Sequence, residues 1–477
     1  MTTLRSAGAR SIATAAIVMM AATALSQSAR AQAAMNVDNF GRGGRVVDPG
    51  VRGGEPGAGG ALPGLSDTQQ QYFSAATAAF GQVQALPDGL GPRFNLDGCG
   101  GCHAYPMQGG SSPPTNPQVE VATKAGARNI VPPFISSNGP IREARFIRNP
   151  DGSPDGGVHN IFVITGRSDA PGCKIRQPDF VAALHANNIT FRIPTPTFGL
   201  GLVEAVPDDA LEAALAANIY QKRALGISGR FNRSGNDGTI TRFGWKAQNK
   251  SLLIFAGEAY NVEQGVTNEL FPNERETDPK CRFTNMPEDQ TPLTPISPST
   301  GSPSADFAST TTLFAGFMRL LAPPTPASST AMVASAASTT AVSSASAAAS
   351  VSRGRQIFAN VGCEACHLKS LTTGHSSING FDNVTFEPLS DFALHDMGWG
   401  LADGVSQGLA TGREFRTAPL WGVGQRLFFL HDGRANNLID AIEQHASPES
   451  EANVVIHNYN ALPATDKQAL VNYLRSL

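Results

Sequence analysis

The chain has 477 residues, 36 Lys and Arg against 39 Asp and Glu, and a net charge of −3. That length exceeds one small domain, and a near-neutral balance without a dense Lys/Arg stripe excludes a nucleic-acid binder. With only 9 histidines and 6 cysteines, the placement of each carries information.

In chain order, residues 1–33 come first. Arg5 and Arg10 precede an apolar run from Ile12 to Leu25, and the stretch ends in Ala31-Gln32-Ala33. This reads as a secretory signal peptide cleaved after Ala33, its apolar part too short to span a bilayer. Cleavage removes Arg5, Arg10 and Arg30 and no acid, so −3 becomes −6. No later stretch is apolar over a spanning length, so no membrane span is expected. Residues 34–62, rich in Gly, Pro and Arg, read as an extended arm.

Residues 63–323 form the first predicted domain. Ser66-Asp67-Thr68-Gln69 is a capping box, and Tyr72, Phe73, Ala76 and Phe80 recur at helical spacing. Cys99-Gly100-Gly101-Cys102-His103 follows. Two thiols separated by two residues can form a redox disulfide, hold half a zinc site or attach to haem vinyl groups. Only the last needs a histidine directly after the second cysteine, as proximal iron ligand. The pattern returns as Cys363-Glu364-Ala365-Cys366-His367, and a histidine falls there twice by accident only rarely. Two covalently bound haem c groups are therefore expected, held by Cys99, Cys102, Cys363 and Cys366, with His103 and His367 on iron. Cys173 and Cys281 remain as a structural disulfide or a pair of buried thiols.

Residues 324–351 are mostly Ala, Ser, Thr and Val without a sustained helical period and read as a low-complexity linker rather than an alanine-rich helix. The second domain, 352–477, repeats the plan of the first. Gly354-Arg355-Gln356-Ile357-Phe358 leads into Cys363. Thr465-Asp466-Lys467-Gln468 reads as a second capping box, ahead of Leu470, Val471, Leu474 and Leu477 on one helix face. Anchored on Pro196 and Pro419, the pattern P-x-aromatic-G-x-G also occurs twice, at 196–201 and 419–424. The expected fold is mainly α: two cytochrome c-type haem domains with much irregular structure and few short strands.

The segments RIPTPTFGLGLVEAVPD (192–208), RFGWKA (242–247), HDMGWGLADG (395–404), GREFRTAPLWGVG (412–424) and FLHDGRANNLIDAIEQHA (429–446) resemble the bacterial di-haem oxidoreductase family, often labelled "thiol oxidoreductase". That family is similar to di-haem cytochrome c peroxidases and MauG-type enzymes. The resemblance implies a periplasmic two-domain cytochrome in which one haem relays electrons and the other reacts. It also implies a calcium ion between the domains, without assignable ligands. In the similar peroxidases a distal methionine stands fourteen residues after the histidine of an HDG motif. Here that position is His445, the expected sixth ligand of the C-terminal haem, with Met397 as runner-up. Leu438, Ala441, Ile442 and His445 share a helical face predicted to be capped by Asn437.

His395 and His431 are expected to hydrogen-bond haem propionates or fix turns. Trp245 is read as core packing or as an electron conduit, since the tryptophan-to-DGR signature of the similar peroxidases has no counterpart at Val206-Pro207-Asp208. The N-terminal haem has no aligned sixth ligand, leaving it open or closed by a displaced His159 or Met107. Glu204, alone in an apolar run, is the expected catalytic acid–base group, with Asp208 and Asp209 next; a helix-start carboxylate or salt-bridge partner is the plainer alternative. Three functions fit: a peroxidase-like enzyme supplied by a small cytochrome c or cupredoxin and acting on peroxide or another small oxidant, a pure electron-transfer cytochrome, or an oxygen-dependent enzyme of the di-haem rubber-oxygenase type.

Overall fold

The computed structural model describes residues 45–294, 300–327 and 344–477. The signal peptide and residues 328–343 of the expected linker lie outside them. Helices are the main regular structure. The strands are two to four residues long and form small separate sheets, with much irregular chain between.

In the first half, α1 (Asp67–Phe80) carries the expected capping box at Ser66 and buries Phe73, Ala76 and Phe80. A three-stranded antiparallel sheet follows, with β1 (Glu143–Phe146) between β2 (Val158–His159) and β3 (Ile189–Arg192). The apolar helix α2 (Leu252–Gln264) is capped by the Ser251 side chain and stopped by left-handed Gly265. Helix α3 (Thr310–Leu320) packs on both α1 and α2. Cys173 and Cys281 form a disulfide.

In the second half, α4 (Ser344–Val361) begins inside the segment read as linker. Its alanines continue a helix held further on, and Ser350 Oγ accepts a hydrogen bond from Asn472. Strands β4 (Leu394–Asp396) and β5 (Glu414–Arg416) pair antiparallel. A short helix, α5 (Leu438–Glu443), is capped by Asn437 as expected. The last helix, α6 (Ala464–Ser476), packs along α4 and buries Leu470, Val471 and Leu474. Its predicted capping box is corrected: Pro463 holds the cap position, and Gln468 instead pairs with both backbone groups of Val47 at 2.9 and 2.8 Å.

The duplication holds in three dimensions. Gly199 and Gly422 both have left-handed φ, 67° and 70°, and their N–H groups donate to the carbonyls of Leu321 and Leu477 at 3.1 and 3.0 Å. A Cβ on Gly201 would meet Arg319 O at 2.0 Å, and one on Gly424 would meet Arg475 O at 2.1 Å. Only glycine allows that approach of loop to helix. The contacts align Arg319 with Arg475, and therefore Met318 with Leu474.

The arm reaches across this repeat. Asp48 binds Arg475 at 2.6 and 2.7 Å and accepts from Leu438 N at 2.6 Å. Burial opposes its charge, but Arg475 and the backbone donors still hold the Asp48 carboxyl below its ordinary value. Among the described residues no helix is long and apolar enough to cross a membrane.

Candidate functional site: two cavities joined at one tryptophan

Each CxxCH motif lies at the wall of a cavity. The first, about 1120 Å³, is lined by Cys99, Cys102 and His103, by β1 and by α2. The second, about 1430 Å³, is lined by Cys363, Cys366 and His367, by α5 and by α6. The motif backbones match: His103 N donates to Cys99 O and His367 N to Cys363 O, both at 2.9 Å. All four motif cysteines are unbonded. Burial pushes the Cys99 and Cys363 thiols up to about 12, which removes the thiolate a redox dithiol needs. Among the described residues no group of three or more His, Cys, Asp or Glu side chains could hold a metal ion. The zinc reading and the expected calcium thus have no such ligand group there.

The motif histidines are buried and held through Nδ1. His103 Nδ1 lies 3.1 Å from Gly110 O, and His367 Nδ1 lies 2.9 Å from Leu389 O. A carbonyl only accepts, so each Nδ1 carries the hydrogen and Nε2 keeps its lone pair. Burial lowers both pKa values to about 4, against the neighbouring carbonyls that raise them.

His445 shares this arrangement. Its Nδ1 lies 2.6 Å from Ala441 O, burial lowers its pKa, and it lines the same cavity as His367. It stands in the turn after α5, since the helix ends at Glu443 rather than running to His445. Met397 lines this cavity too.

In the first cavity His103 is the only lining imidazole. His159 stacks on Phe146 and pairs with Asp155, and Met107 is exposed; neither lines the cavity. Met318 does, but its repeat mate Leu474 lines the other cavity, so both read as packing.

The expectation for Glu204 is corrected. It lies outside the cavity lining, accepts from Arg319 at 2.6 and 3.2 Å, and accepts from Leu252 N at 2.7 Å at the start of α2. Arg319 is the repeat mate of Arg475, so Glu204 braces the first half as Asp48 braces the second. Asp208 pairs with Arg242, and neither it nor Asp209 lines the cavity.

The carboxylates that do line it are Glu143, Glu258 and Glu263. Glu143 and Glu263 share a hydrogen bond, and Asn95 Nδ2 donates to Glu263 at 2.7 Å. Burial favours the neutral form of both, yet Arg145, the hydrogen bond from Glu263, and Arg192 hold Glu143 down to about 2. Burial and the charge on Glu143 push Glu263 well up. Glu143 is thus the more acidic and Glu263 the less acidic of two facing carboxyls. Glu263 stands between Asn261 and Gln264 in AYNVEQGV, so the signal that singled out Glu204, an acid alone in an apolar run, is absent there.

Buried polar atoms left without partners test the fit to haem. In the second cavity Arg426 Nε and Nη2 and His431 Nε2 have none, and the Arg426 guanidinium is lowered to about 10 by burial alone. Arg416, also buried and lowered to about 10, by burial and then by Arg426, bonds only to carbonyls. Two buried guanidiniums without a carboxylate are costly unless an anion joins them. In the first cavity Arg192 Nε, Gln248 Oε1 and Gln264 Oε1 are unpartnered. The residues fit a haem with two carboxylate arms. His395 is corrected here as a propionate donor: Asp391 and Glu451 engage both of its nitrogens, at 3.1 and 2.7 Å, and Glu451 in turn fixes Ser228 and Gly229. Its turn-fixing alternative stands.

Among the described residues, Trp245 alone lines both cavities. Its Nε1 donates to Ile193 O at 2.9 Å, and its ring meets His431 edge-on with centroids 6.4 Å apart. Of its two readings, core packing or conduit, the position favours the second.

Two cavities, each walled by a CxxCH motif, form the candidate site. Residues 143–281 and 315–477, well over half of the chain, match the family described as "Di-haem oxidoreductase, putative peroxidase", and the chain belongs to that family. The match begins after the first CxxCH motif. No curated protein matches the chain.

Proposed function

We propose that the chain is an exported, peroxidase-like oxidoreductase carrying one covalent haem c per domain. Bound haems would supply electron storage and peroxide reduction. Cys99 and Cys102, and Cys363 and Cys366, would hold them through thioethers, His103 and His367 would serve as iron ligands, and His445 would be a further ligand in the C-terminal cavity. The observation that carries this reading is the asymmetry of the cavities. One sets a second imidazole, His445, in the cavity of His367; the other sets the facing glutamates Glu143 and Glu263 in the cavity of His103.

Glu263, the less acidic carboxyl, takes a proton from one peroxide oxygen and returns it to the leaving one, while Glu143, held by Arg145, positions it. Trp245 separates the cavities and carries electrons between them. The donor is a small cytochrome c or cupredoxin docking near the C-terminal cavity. The Cys173–Cys281 disulfide supports an oxidising compartment, the periplasm, for the mature chain.

An EPR spectrum of the ferric protein tests this reading. One high-spin and one low-spin haem are expected. Two low-spin haems would convert the reading to pure electron transfer.

A further inference from the structure

Beside Trp245 lies a buried row of charges that the proposed chemistry does not use. Lys246 is fully buried, and its Nζ lies 3.0 Å from Asp403 and donates to Thr411 O at 2.8 Å. Asp403, with no exposed side-chain surface, also takes Arg192 at 2.9 Å. Arg192 reaches the first cavity and bonds onward to the neutral Gln407. Glu414, the next acid, is engaged by Arg230. Arg192 also faces Glu143, which Arg145 holds, so Asp403 is the carboxylate that Lys246 pairs with.

The Lys246 ammonium is aimed at the second cavity's wall. Lys246 Nζ stands 3.8 Å from the centre of the Phe415 ring, Phe415 stacks on His431 at 4.3 Å, and His431 meets Trp245. Phe415 and His431 line the C-terminal cavity. A lysine without water is costly to keep charged, and burial does lower it to about 8, with Asp403 opposing that shift. Packing alone asks for an apolar side chain at this position. A cation held by an aspartate, a carbonyl and a ring face instead fixes the potential around it.

We propose that Lys246, positioned by Asp403, sets the electrostatic bias of the inter-cavity route, favouring an electron on the C-terminal side and disfavouring loss of one from Trp245. Reduction adds negative charge, which a nearby fixed cation stabilises. Lys246 is a positioning residue, since it lines neither cavity. The inference rests on the two-haem reading and adds the direction of the bias.

The test is a redox titration of the holoprotein and its Lys246→Met, Lys246→Arg and Asp403→Asn variants, with each haem followed by EPR and optical spectra. In Lys246→Met the equilibrium for one electron shared between the haems should move about tenfold towards the N-terminal haem, about 59 mV for one electron. Lys246→Arg should restore it. Asp403→Asn, which removes the carboxylate that keeps buried Lys246 charged and frees Arg192 beside the first cavity, should move it the same way, and provides the test if the Met variant does not fold. Unchanged potentials in folded two-haem variants overturn the proposal, as does an Arg variant that shifts as far as the Met variant. A wild-type protein without two covalent haems overturns the two-haem reading instead.

Discussion

The two cavities rest on the same scaffold and differ in what accompanies the motif histidine. Both sit against a helix pair, a CxxCH turn and a glycine loop pressed onto the last helix. The second cavity is mainly apolar, with its guanidiniums awaiting anions and His445 prepared like the proximal ligands. The first is lined by three glutamates and three arginines and has one imidazole. The repeated frame is common to both halves, and the cavities differ at a few lining positions. On the proposed reading, what one copy lacks matters as much as what it contains.

The largest expected effect breaks the duplication itself. Replacing Cys363 and Cys366 with Ala should leave one covalent haem per chain, seen as one haem group missing from the intact mass. A mutant with both haems contradicts the paired-cavity account. Next, Glu263→Gln should keep both haems while peroxide turnover falls by on the order of 10²-fold or more. Glu204→Gln should turn over like wild type and lose at most about 1 kcal/mol of stability, because its ion pair is partly exposed. Reversal of that contrast in steady-state assays would return catalysis to Glu204.

His445→Gly should convert the C-terminal haem from low-spin to high-spin and open it to cyanide, by EPR and optical titration. An unchanged low-spin signal moves the ligand to Met397. Trp245→Phe should slow electron exchange between the haems in stopped-flow reduction while leaving both spin states intact.

Acid gives the smallest effect. Burial opposes the charge of Glu451, but His395 and Ser228 hold its carboxyl down to about 2. A lowered carboxyl stabilises the fold fully above the ordinary value, about 4.3, and the gain is lost as pH falls towards 2. In the first cavity, lowered Glu143 and raised Glu263 act in opposite directions. The second domain should therefore lose roughly 2 kcal/mol between pH 5 and pH 2.5, and the first less, in denaturant titrations that follow each haem. Equal losses contradict the assignment.

The sequence shows the parts of the site whose chemistry is contiguous. CxxCH places thiols and ligand in five residues, and the spacing from HDG reaches His445 without knowledge of the fold. The glycine repeat was legible because close backbone contact admits no other residue. The facing glutamates were not, since Glu143 and Glu263 meet only when β1 packs beside α2. Glu204 stood out as an acid in an apolar run and Glu263, between Asn261 and Gln264, did not; only tertiary structure shows that the first faces Arg319 and the second the cavity. Thr465 failed as a cap because the arm, remote in sequence, claims Gln468.

That arm has a consequence for the order of assembly. Asp48 lies in the arm and its partner Arg475 in the last helix, so their bond closes the polypeptide into a ring 427 residues around. The ring cannot close until the last helix has formed. Until then Arg475 and the Leu438 N–H lack their carboxylate, and the second cavity stands with one wall unbraced.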